Sequence, residues 1–177
     1  LPYYSQFSDK YENIAFYEYS PSFFCPYFMD YPKENHPNYE SRLIHKIRMM
    51  LEYIRGGYRV FYMVYDDNIV GHIVVANGGR RLKISTKSDI VVGPVFISPN
   101  MRGKGIGTTG ILIVLNQLGL QYKYAYEFIH DDNIASIRTV EKNGYTFVGR
   151  VKESGLLKNL IKSSDGNYVV YRYSKEL

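Results

Sequence analysis

The stretch VFISPNMRGKGIGT, residues 95–108, decides how the rest of the chain is interpreted. It begins as a β-branched and aromatic run, which is typical of a buried strand. Pro99 ends that strand because proline has no N–H to donate. From Ile106 to Leu118 apolar residues recur at helical spacing. The stretch therefore predicts a strand, a polar turn and a helix in direct succession.

Glycines and cations fill the turn between that strand and that helix. Gly103, Gly105 and Gly107 remove side chains beside successive backbone N–H groups, and Arg102 and Lys104 add positive charge. The N-terminus of a helix attracts anions because its first N–H groups are unpaired and its dipole is positive there. We therefore predict a diphosphate cradle in this turn.

Three kinds of phosphate loop can occupy such a turn. A Walker loop requires Gly, four residues and then Gly-Lys followed by Ser or Thr, and no such run exists. The dinucleotide pattern G-x-G-x-x-G is present at residues 105–110, with Glu127 near the spacing of a ribose-binding acid. However, residues 98–104 separate this pattern from the strand, and too little chain follows for a Rossmann fold. The third pattern, Arg-x-x-Gly-x-Gly, matches residues 102–107.

That third pattern resembles the coenzyme A loop of the GNAT acetyltransferase superfamily, and a second block supports the resemblance. Residues 127–145 read EFIHDDNIASIRTVEKNGY, similar to the family's second motif. Asn133 and Ser136 hold its Asn-x-x-Ser positions, and Gly144 precedes its closing aromatic residue. Asn133 is also a good helix N-cap, and Gly144 suits a left-handed helix stop. The two motifs occur in the family's order.

The resemblance implies acetyl-CoA as co-substrate and direct acetyl transfer to a primary amine of a small molecule or peptide. Within a coenzyme A motif at about residues 89–118, it assigns the main chain of Phe96 and Ile97 to the pantetheine arm. It assigns the pyrophosphate to Arg102, Gly103, Lys104, Gly105, Ile106, Gly107 and Thr108. In a second motif at about residues 122–150, Asn133 and Ser136 are its polar cofactor contacts. No metal is predicted.

The catalytic residues are less defined than the cofactor residues. As the base that deprotonates the amine we consider Glu127, His130 and His72, each of which also has a purely structural interpretation. Glu127 is preferred because it lies nearest the point at which the family's two parallel strands separate. Many members of the family carry a tyrosine acid where this chain has Val140. Either another tyrosine replaces it or there is no dedicated acid.

Two other classes of function remain open at this point. A non-catalytic acyl-CoA-binding domain would bind the cofactor without turning it over, and the missing tyrosine keeps that alternative open. A Rossmann-type dinucleotide-binding enzyme would bind a nicotinamide cofactor instead. Residues 134, 137 and 140 repeat every three positions, so we also expect Val140 to share one packed helix face with Ile134 and Ile137.

Length and composition predict one domain, residues 1–177. The single Cys25 excludes an internal disulfide, and no apolar run reaches the length of a membrane span. The net charge of +5 is scattered, so we predict no nucleic-acid partner and no membrane partner. We expect a cytoplasmic monomer or homodimer. The first residue is Leu rather than Met, which leaves open whether the natural start is present.

The remaining patterns predict an α/β fold, a single-domain, GNAT-like mixed sheet of about six to seven strands flanked by about four helices. Its N-terminal part should be antiparallel, with a hairpin at Asp66-Asp67, and its central pair of strands parallel. A clean amphipathic helix is expected at residues 39–55. The aromatic residues 23–31 either fill one end of the sheet or line the acceptor pocket. Further strands are predicted at residues 14–19, 58–65, 69–76, 122–129, 146–153 and 168–174.

Overall fold

The computed structural model describes residues 3–6, 14–23, 42–155 and 158–175. The chain divides into two compact units. The first unit comprises residues 1–76 and 94–106, and the second comprises residues 77–93 and 107–177. Strand β5, Ile90–Ile97, contributes its first half to the second unit and its last half to the first.

The strands of the first unit follow the order β1-β2-β3-β4-β5. Neighbours from β1 to β4 are antiparallel, as the sequence predicts. Asp66 and Asp67 have φ values of 46° and 59°, the left-handed pair that a two-residue hairpin turn requires. These strands are β1 (Tyr3–Gln6), β2 (Ile14–Tyr19), β3 (Tyr58–Tyr65) and β4 (Asn68–Asn77).

Helix α1, Arg42–Ile54, precedes β3 in the first unit. It ends where the amides of Gly56 and Gly57 both donate to the Tyr53 carbonyl, at 3.1 and 2.9 Å. Both glycines have positive φ, which suits a helix C-terminus. Buried side chains from the helix and from β3 and β4 then pack in one cluster formed by Met49, Tyr58, Val60, Tyr62 and Val74.

The second unit follows the strand order β5-β6-β9-β7-β8. Ile90 and Val91 of β5 pair in parallel with Ala125 and Tyr126 of β6, which confirms the predicted parallel pair. The remaining neighbours are antiparallel. The elements are α2 (Ile106–Leu118, all but its first residue), β6 (Tyr124–His130), α3 (Ile134–Lys142), β7 (Thr146–Ser154), β8 (Asn159–Lys162) and β9 (Tyr168–Ser174).

The two faces of β6 have different surroundings. Tyr126 belongs to a buried apolar cluster with Leu82, Val91, Val151, Leu160 and Val170. Because side chains alternate along a strand, Ala125, Glu127 and Ile129 lie on the opposite face, and all three are buried. The face that carries Glu127 is therefore enclosed as well.

The buried Asp89 carboxylate fastens the loop before β5 to the start of β6. Its Oδ2 accepts hydrogen bonds from the Thr86 amide and hydroxyl, both at 2.7 Å. Its Oδ1 accepts from the Tyr124 amide at 3.2 Å. Three donors satisfy a charge that burial would otherwise penalise.

The expected numbers of strands and helices are wrong. The part of the chain that the structure describes holds nine strands and three α-helices, not six to seven strands and four helices. The two strands that were not predicted, β1 and β8, are each four residues long. Runs this short carry too few alternating positions to stand out from a loop.

Candidate active site

The predicted phosphate loop lies in the first unit and leads into α2. Residues Pro99–Met101 form one turn of 3₁₀-helix, in which the Met101 amide donates to the Ser98 carbonyl at 2.9 Å. Gly103 and Gly105 then take φ values of 74° and 80°, and α2 begins at Ile106. From the extended Arg102, these left-handed glycines lead the chain into the N-terminus of α2, and the unpaired N–H groups of a helix N-terminus can receive an anion.

The glycines of this loop are required by backbone conformation. A Cβ on Gly103 would meet no heavy atom within 4 Å, so lack of space is not the reason for glycine there. A positive φ disfavours residues with a side chain. Gly107 lies in the first turn of α2 and is not among the residues of positive φ.

Arg102 folds back along the end of β5. Its Nε donates to the Ile97 carbonyl at 3.0 Å, and its Cζ lies 6.0 Å from the centroid of the Phe96 ring. The bond is exposed to solvent, so the guanidinium stays available to a dissolved anion. Next to it, the Lys104 ammonium lies 3.5 Å from the Met101 sulfur.

Phe96 and Ile97 present their main chains to opposite edges of β5. A Cβ on Gly71 of β4 would lie 2.6 Å from the Phe96 oxygen, and the Ser98 amide donates to the Val70 carbonyl at 2.8 Å. Residues 96 and 98 therefore face β4. Because consecutive residues of a strand alternate, the Ile97 carbonyl points away from β4, where Arg102 binds it.

The second motif forms helix α3 in the second unit, as the sequence predicts. Asn133 caps the helix, and its Oδ1 accepts from the Ser136 amide at 3.2 Å. At the other end Gly144 has a φ of 78°, and the Tyr145 amide donates to the Val140 carbonyl at 3.1 Å. This is the left-handed stop that Gly144 was expected to provide.

Asn143 is a buried polar residue that sequence reasoning missed. Its Nδ2 donates to the main-chain carbonyl of Thr108 at 3.0 Å, which joins the end of α3 to the first turn of α2. Its Oδ1 is buried and makes no hydrogen bond. The only available sequence signal was a short amide immediately before the helix-stop glycine.

The expected shared face of Ile134, Ile137 and Val140 is wrong. Val140 is 1% exposed, whereas Ile134 is 51% exposed. Each three-residue step rotates about 60° short of a full helical turn, so two steps displace Ile134 by about 120° from Val140. Val140 is nevertheless packed, and an apolar side chain at that position cannot donate a proton.

Glu127, the base candidate that the sequence prefers, is a buried carboxyl of the second unit. It is 6% exposed, and its Oε1 makes no hydrogen bond. It follows the last parallel pair of β5 and β6, and Val92 and Gly93 continue β5 without a partner on β6. Burial raises the pKa of Glu127 to about 8, and the adjacent Tyr145 hydroxyl opposes part of that rise.

Tyr145 is the tyrosine that the structure brings next to Glu127. It is 4% exposed, and its hydroxyl, although close to the carboxyl, makes no hydrogen bond of good geometry. Burial and the neighbouring Glu127 raise the Tyr145 pKa well above its usual value. By contrast, the Tyr171 hydroxyl already donates to Glu141 at 2.9 Å, so it is committed elsewhere.

The two histidine candidates have other surroundings. His72 is buried in the first unit and stacks on the Phe96 ring, with centroids 5.7 Å apart and planes at 24°. His130 ends β6 with both ring nitrogens near partners: Nδ1 is 2.7 Å from Asp132 Oδ1, and Nε2 is 3.3 Å from Asn167 Nδ2. His130 therefore has a partner near each ring nitrogen, and the His72 ring is held against Phe96.

The structure describes the aromatic segment, residues 23–31, only at its first residue. Phe23 packs edge-on against Tyr53 at 6.4 Å, but the rest of the aromatic segment, residues 24–31, lies outside the described residues. Cys25 falls there too. Within the described residues, no helix combines the length and apolar character needed to cross a membrane, and no cluster of His, Cys, Asp or Glu could hold a metal.

Solved structures that are similar in fold to this chain include several acetyltransferases. A GNAT family acetyltransferase from Elizabethkingia anophelis with acetyl-CoA bound has a TM-score of 0.62 and 10% identity, over 93% of this chain and 99% of its own. A ribosomal-protein-alanine N-acetyltransferase from Brucella melitensis has a TM-score of 0.55 and 18% identity, over 75% of this chain and 78% of its own. An acetyl transferase from Salmonella typhimurium modifies the N-terminal serine of ribosomal protein L7/L12. It has a TM-score of 0.56 and 15% identity, over 78% of this chain and 77% of its own. At these identities the likeness is one of fold.

The model of the Acetyltransferase (GNAT) family matches residues 13–145 of the sequence. The chain therefore belongs to the GNAT family of acetyltransferases. No curated protein sequence matches it. The resemblance inferred from the two sequence motifs is confirmed, and the Rossmann-type alternative is wrong.

Proposed function

We propose that this enzyme transfers an acetyl group directly from acetyl-CoA to a primary amine of a small molecule or peptide, with Glu127 as the base. The observation that carries this proposal is the uncommitted carboxyl oxygen of Glu127, buried where the parallel pairing of β5 and β6 ends. A base needs such an oxygen, because a proton can be accepted only where no other donor already occupies the lone pair.

The transfer balances without an added reactant. The amine nitrogen attacks the thioester carbon, a C–N bond forms, and the C–S bond breaks to release the coenzyme A thiolate. Glu127 takes the proton that the nitrogen loses. Tyr145, whose hydroxyl lies beside Glu127, is the candidate to protonate the thiolate and to recover a proton from Glu127. In this proposal Tyr145 takes the role of the tyrosine acid that many members of the family carry at the position of Val140.

On the cofactor side, the proposal assigns the pyrophosphate to the main chain of residues 102–108. Ile97, whose carbonyl points away from β4, is a better pantetheine contact than Phe96, and pantetheine has to replace Arg102 at that carbonyl. In the second unit, the Ser136 amide already uses the Asn133 Oδ1. This leaves the amide NH₂ of Asn133 to donate to the cofactor.

Cofactor binding and acetyl transfer are tested by two separate measurements, calorimetry with acetyl-CoA and turnover of an amine. Gly105→Val forces a side chain onto a φ of 80°, so it should weaken acetyl-CoA binding at least about fivefold by calorimetry, since strained backbone costs about 1–3 kcal/mol. Arg102→Ala should weaken binding less, with greater sensitivity to salt. Unchanged affinity in a folded Gly105→Val protein would overturn the phosphate assignment.

The acceptor requires a panel of primary amines, including peptide N-termini because a neighbour of similar fold modifies the N-terminal serine of ribosomal protein L7/L12. Turnover should rise with pH up to about 8 as Glu127 loses its proton. Glu127→Gln should lose about 100-fold or more in rate and keep its affinity for acetyl-CoA. A protein that binds acetyl-CoA but acetylates none of the amines would instead favour the acyl-CoA-binding domain.

The cytoplasmic location, the monomer or homodimer state and the lack of nucleic-acid and membrane partners stay predictions from the sequence. So does the acceptor-wall role of residues 24–31, which lie outside the described residues.

A further inference from the structure

Asn133 is presented by a tight turn between β6 and α3, residues 130–133. The Asn133 amide donates to the His130 carbonyl at 2.9 Å, and the Ile134 amide donates to the Asp132 carbonyl at 2.9 Å. These local bonds shape the turn but do not fix it relative to the sheet. Asp132 is exposed, so packing does not fix it either.

Arg150 of β7 joins this turn to a second turn, residues 163–167, which connects β8 and β9. Its Nη1 donates to Asp131 Oδ2 at 2.8 Å and to the Gly166 carbonyl at 2.9 Å. The Arg150 hydrogen bond is the main cause that lowers the pKa of the Asp131 carboxyl. Partly exposed ion pairs add little stability, so the value of this one lies in the geometry that it imposes on two turns.

His130 makes a second link between the same two turns. Its Nδ1 lies 2.7 Å from Asp132 Oδ1, and its Nε2 lies 3.3 Å from Asn167 Nδ2. Asp132 can only accept and the Asn167 NH₂ can only donate, so this arrangement assigns the ring proton to Nδ1. The Asp131 amide also donates to the Asn167 carbonyl at 3.0 Å, and the ring packs edge-on against Tyr168 at 5.4 Å.

We propose that Arg150, His130 and Asn167 are positioning residues for acetyl-CoA: they hold the β6–α3 turn against the β8–β9 turn so that Asn133 faces the cofactor. This inference rests on the cofactor role of Asn133 in the proposed function. None of the three touches the reacting atoms; they act through Asn133. His130, which the sequence offered as a base, is assigned a structural role here: it links the two turns through Asp132 and Asn167.

The test is a double-mutant cycle on acetyl-CoA affinity, measured by calorimetry with acetyl-CoA and no acceptor. Arg150→Ala and Asn167→Ala should each weaken binding about fivefold, the effect of losing one coupled contact. In an Asn133→Ala background the same changes should have no further effect, because their route to the cofactor has gone. Arg150→Lys should recover part of the affinity.

Lys152→Ala is the matched control. Lys152 also lies on β7 and pairs with Asp165 of the β8–β9 turn, at 3.3 Å, but it does not contact the β6–α3 turn. Its affinity for acetyl-CoA should equal that of the wild type. Equal losses with and without Asn133, or a loss in Lys152→Ala as large as that in Arg150→Ala, would overturn the inference.

The outcomes also separate this inference from the proposed function. An Asn133→Ala protein that binds acetyl-CoA as tightly as the wild type would overturn the role of Asn133 and the inference with it, while turnover of an amine tests the transfer independently. If Arg150→Ala fails to fold, Asn167→Ala on the other turn gives the same cycle.

Discussion

Replacing Glu127 with Gln should remove most of the change in stability that this protein undergoes between about pH 4.5 and 8. Burial raises the pKa of Glu127 from 4.5 to about 8, so the folded protein holds this proton more tightly than the unfolded chain does. Its contribution to stability is fully present below pH 4.5 and is lost as the pH rises through 8. Gln keeps the shape of the protonated acid and has no proton to lose.

The size of the effect follows from the two pKa values. They differ by about 3.5, and a difference of one in pKa corresponds to about 1.4 kcal/mol. Ionised Glu127 therefore lowers the free energy of unfolding by about 5 kcal/mol above pH 8, as an upper bound because water can enter around the charge. The whole free energy of unfolding of a small domain is only about 5–15 kcal/mol.

Urea denaturation at several pH values, followed by circular dichroism, measures this directly. The free energy of unfolding of Glu127→Gln, minus that of the wild type, should rise with pH toward about 5 kcal/mol. The control is Glu153→Gln, since Glu153 is an exposed carboxylate paired with Arg81 and Lys158; that variant should follow the wild-type profile. A difference that changes by less than about 1 kcal/mol across this range would refute the reasoning.

Two other predictions concern stability. In Gly166→Ala, the new Cβ would lie 2.2 Å from the Val151 carbonyl oxygen, a backbone atom, so the free energy of unfolding should fall by about 1–3 kcal/mol; an unchanged melting midpoint would contradict this close approach. In Asp89→Asn, the amide cannot accept from Thr86 and Tyr124 at once, so a loss of about 2 kcal/mol is expected in urea denaturation. A wild-type midpoint would mean that one of those bonds contributes nothing.

Elements defined by local chemistry were predictable from the sequence. The Asp66-Asp67 turn lies between two long apolar strands, and its residues tolerate the left-handed conformation that the turn requires. Helix α3 carries both its N-cap, Asn133, and its stop, Gly144, within its own sequence. In each case the residues that decide the structure are neighbours in the chain.

Features that depend on distant contacts were not predictable. Strand β8 exists because it pairs with β7 and because Leu160 meets Leu82, far away in the sequence. The burial of Glu127 depends on the elements that pack over its face of β6. The partner of Asn143 is the Thr108 carbonyl, 35 residues earlier in the chain. No window of the sequence contains such pairs, so the strand, turn and helix of residues 95–118 could be predicted and the environment of Glu127 could not.

Because of the hydrogen bond from the Asn143 side chain to the Thr108 main chain, positions 108 and 143 should tolerate different substitutions. The acceptor is a main-chain carbonyl, so this bond does not depend on which side chain occupies position 108. At position 143 the donor is the side chain itself, and few residues can replace it. Saturation mutagenesis should therefore separate two effects: substitutions at 108 test the cofactor contact proposed for Thr108, whereas substitutions at 143 report on the scaffold that supports the first turn of α2.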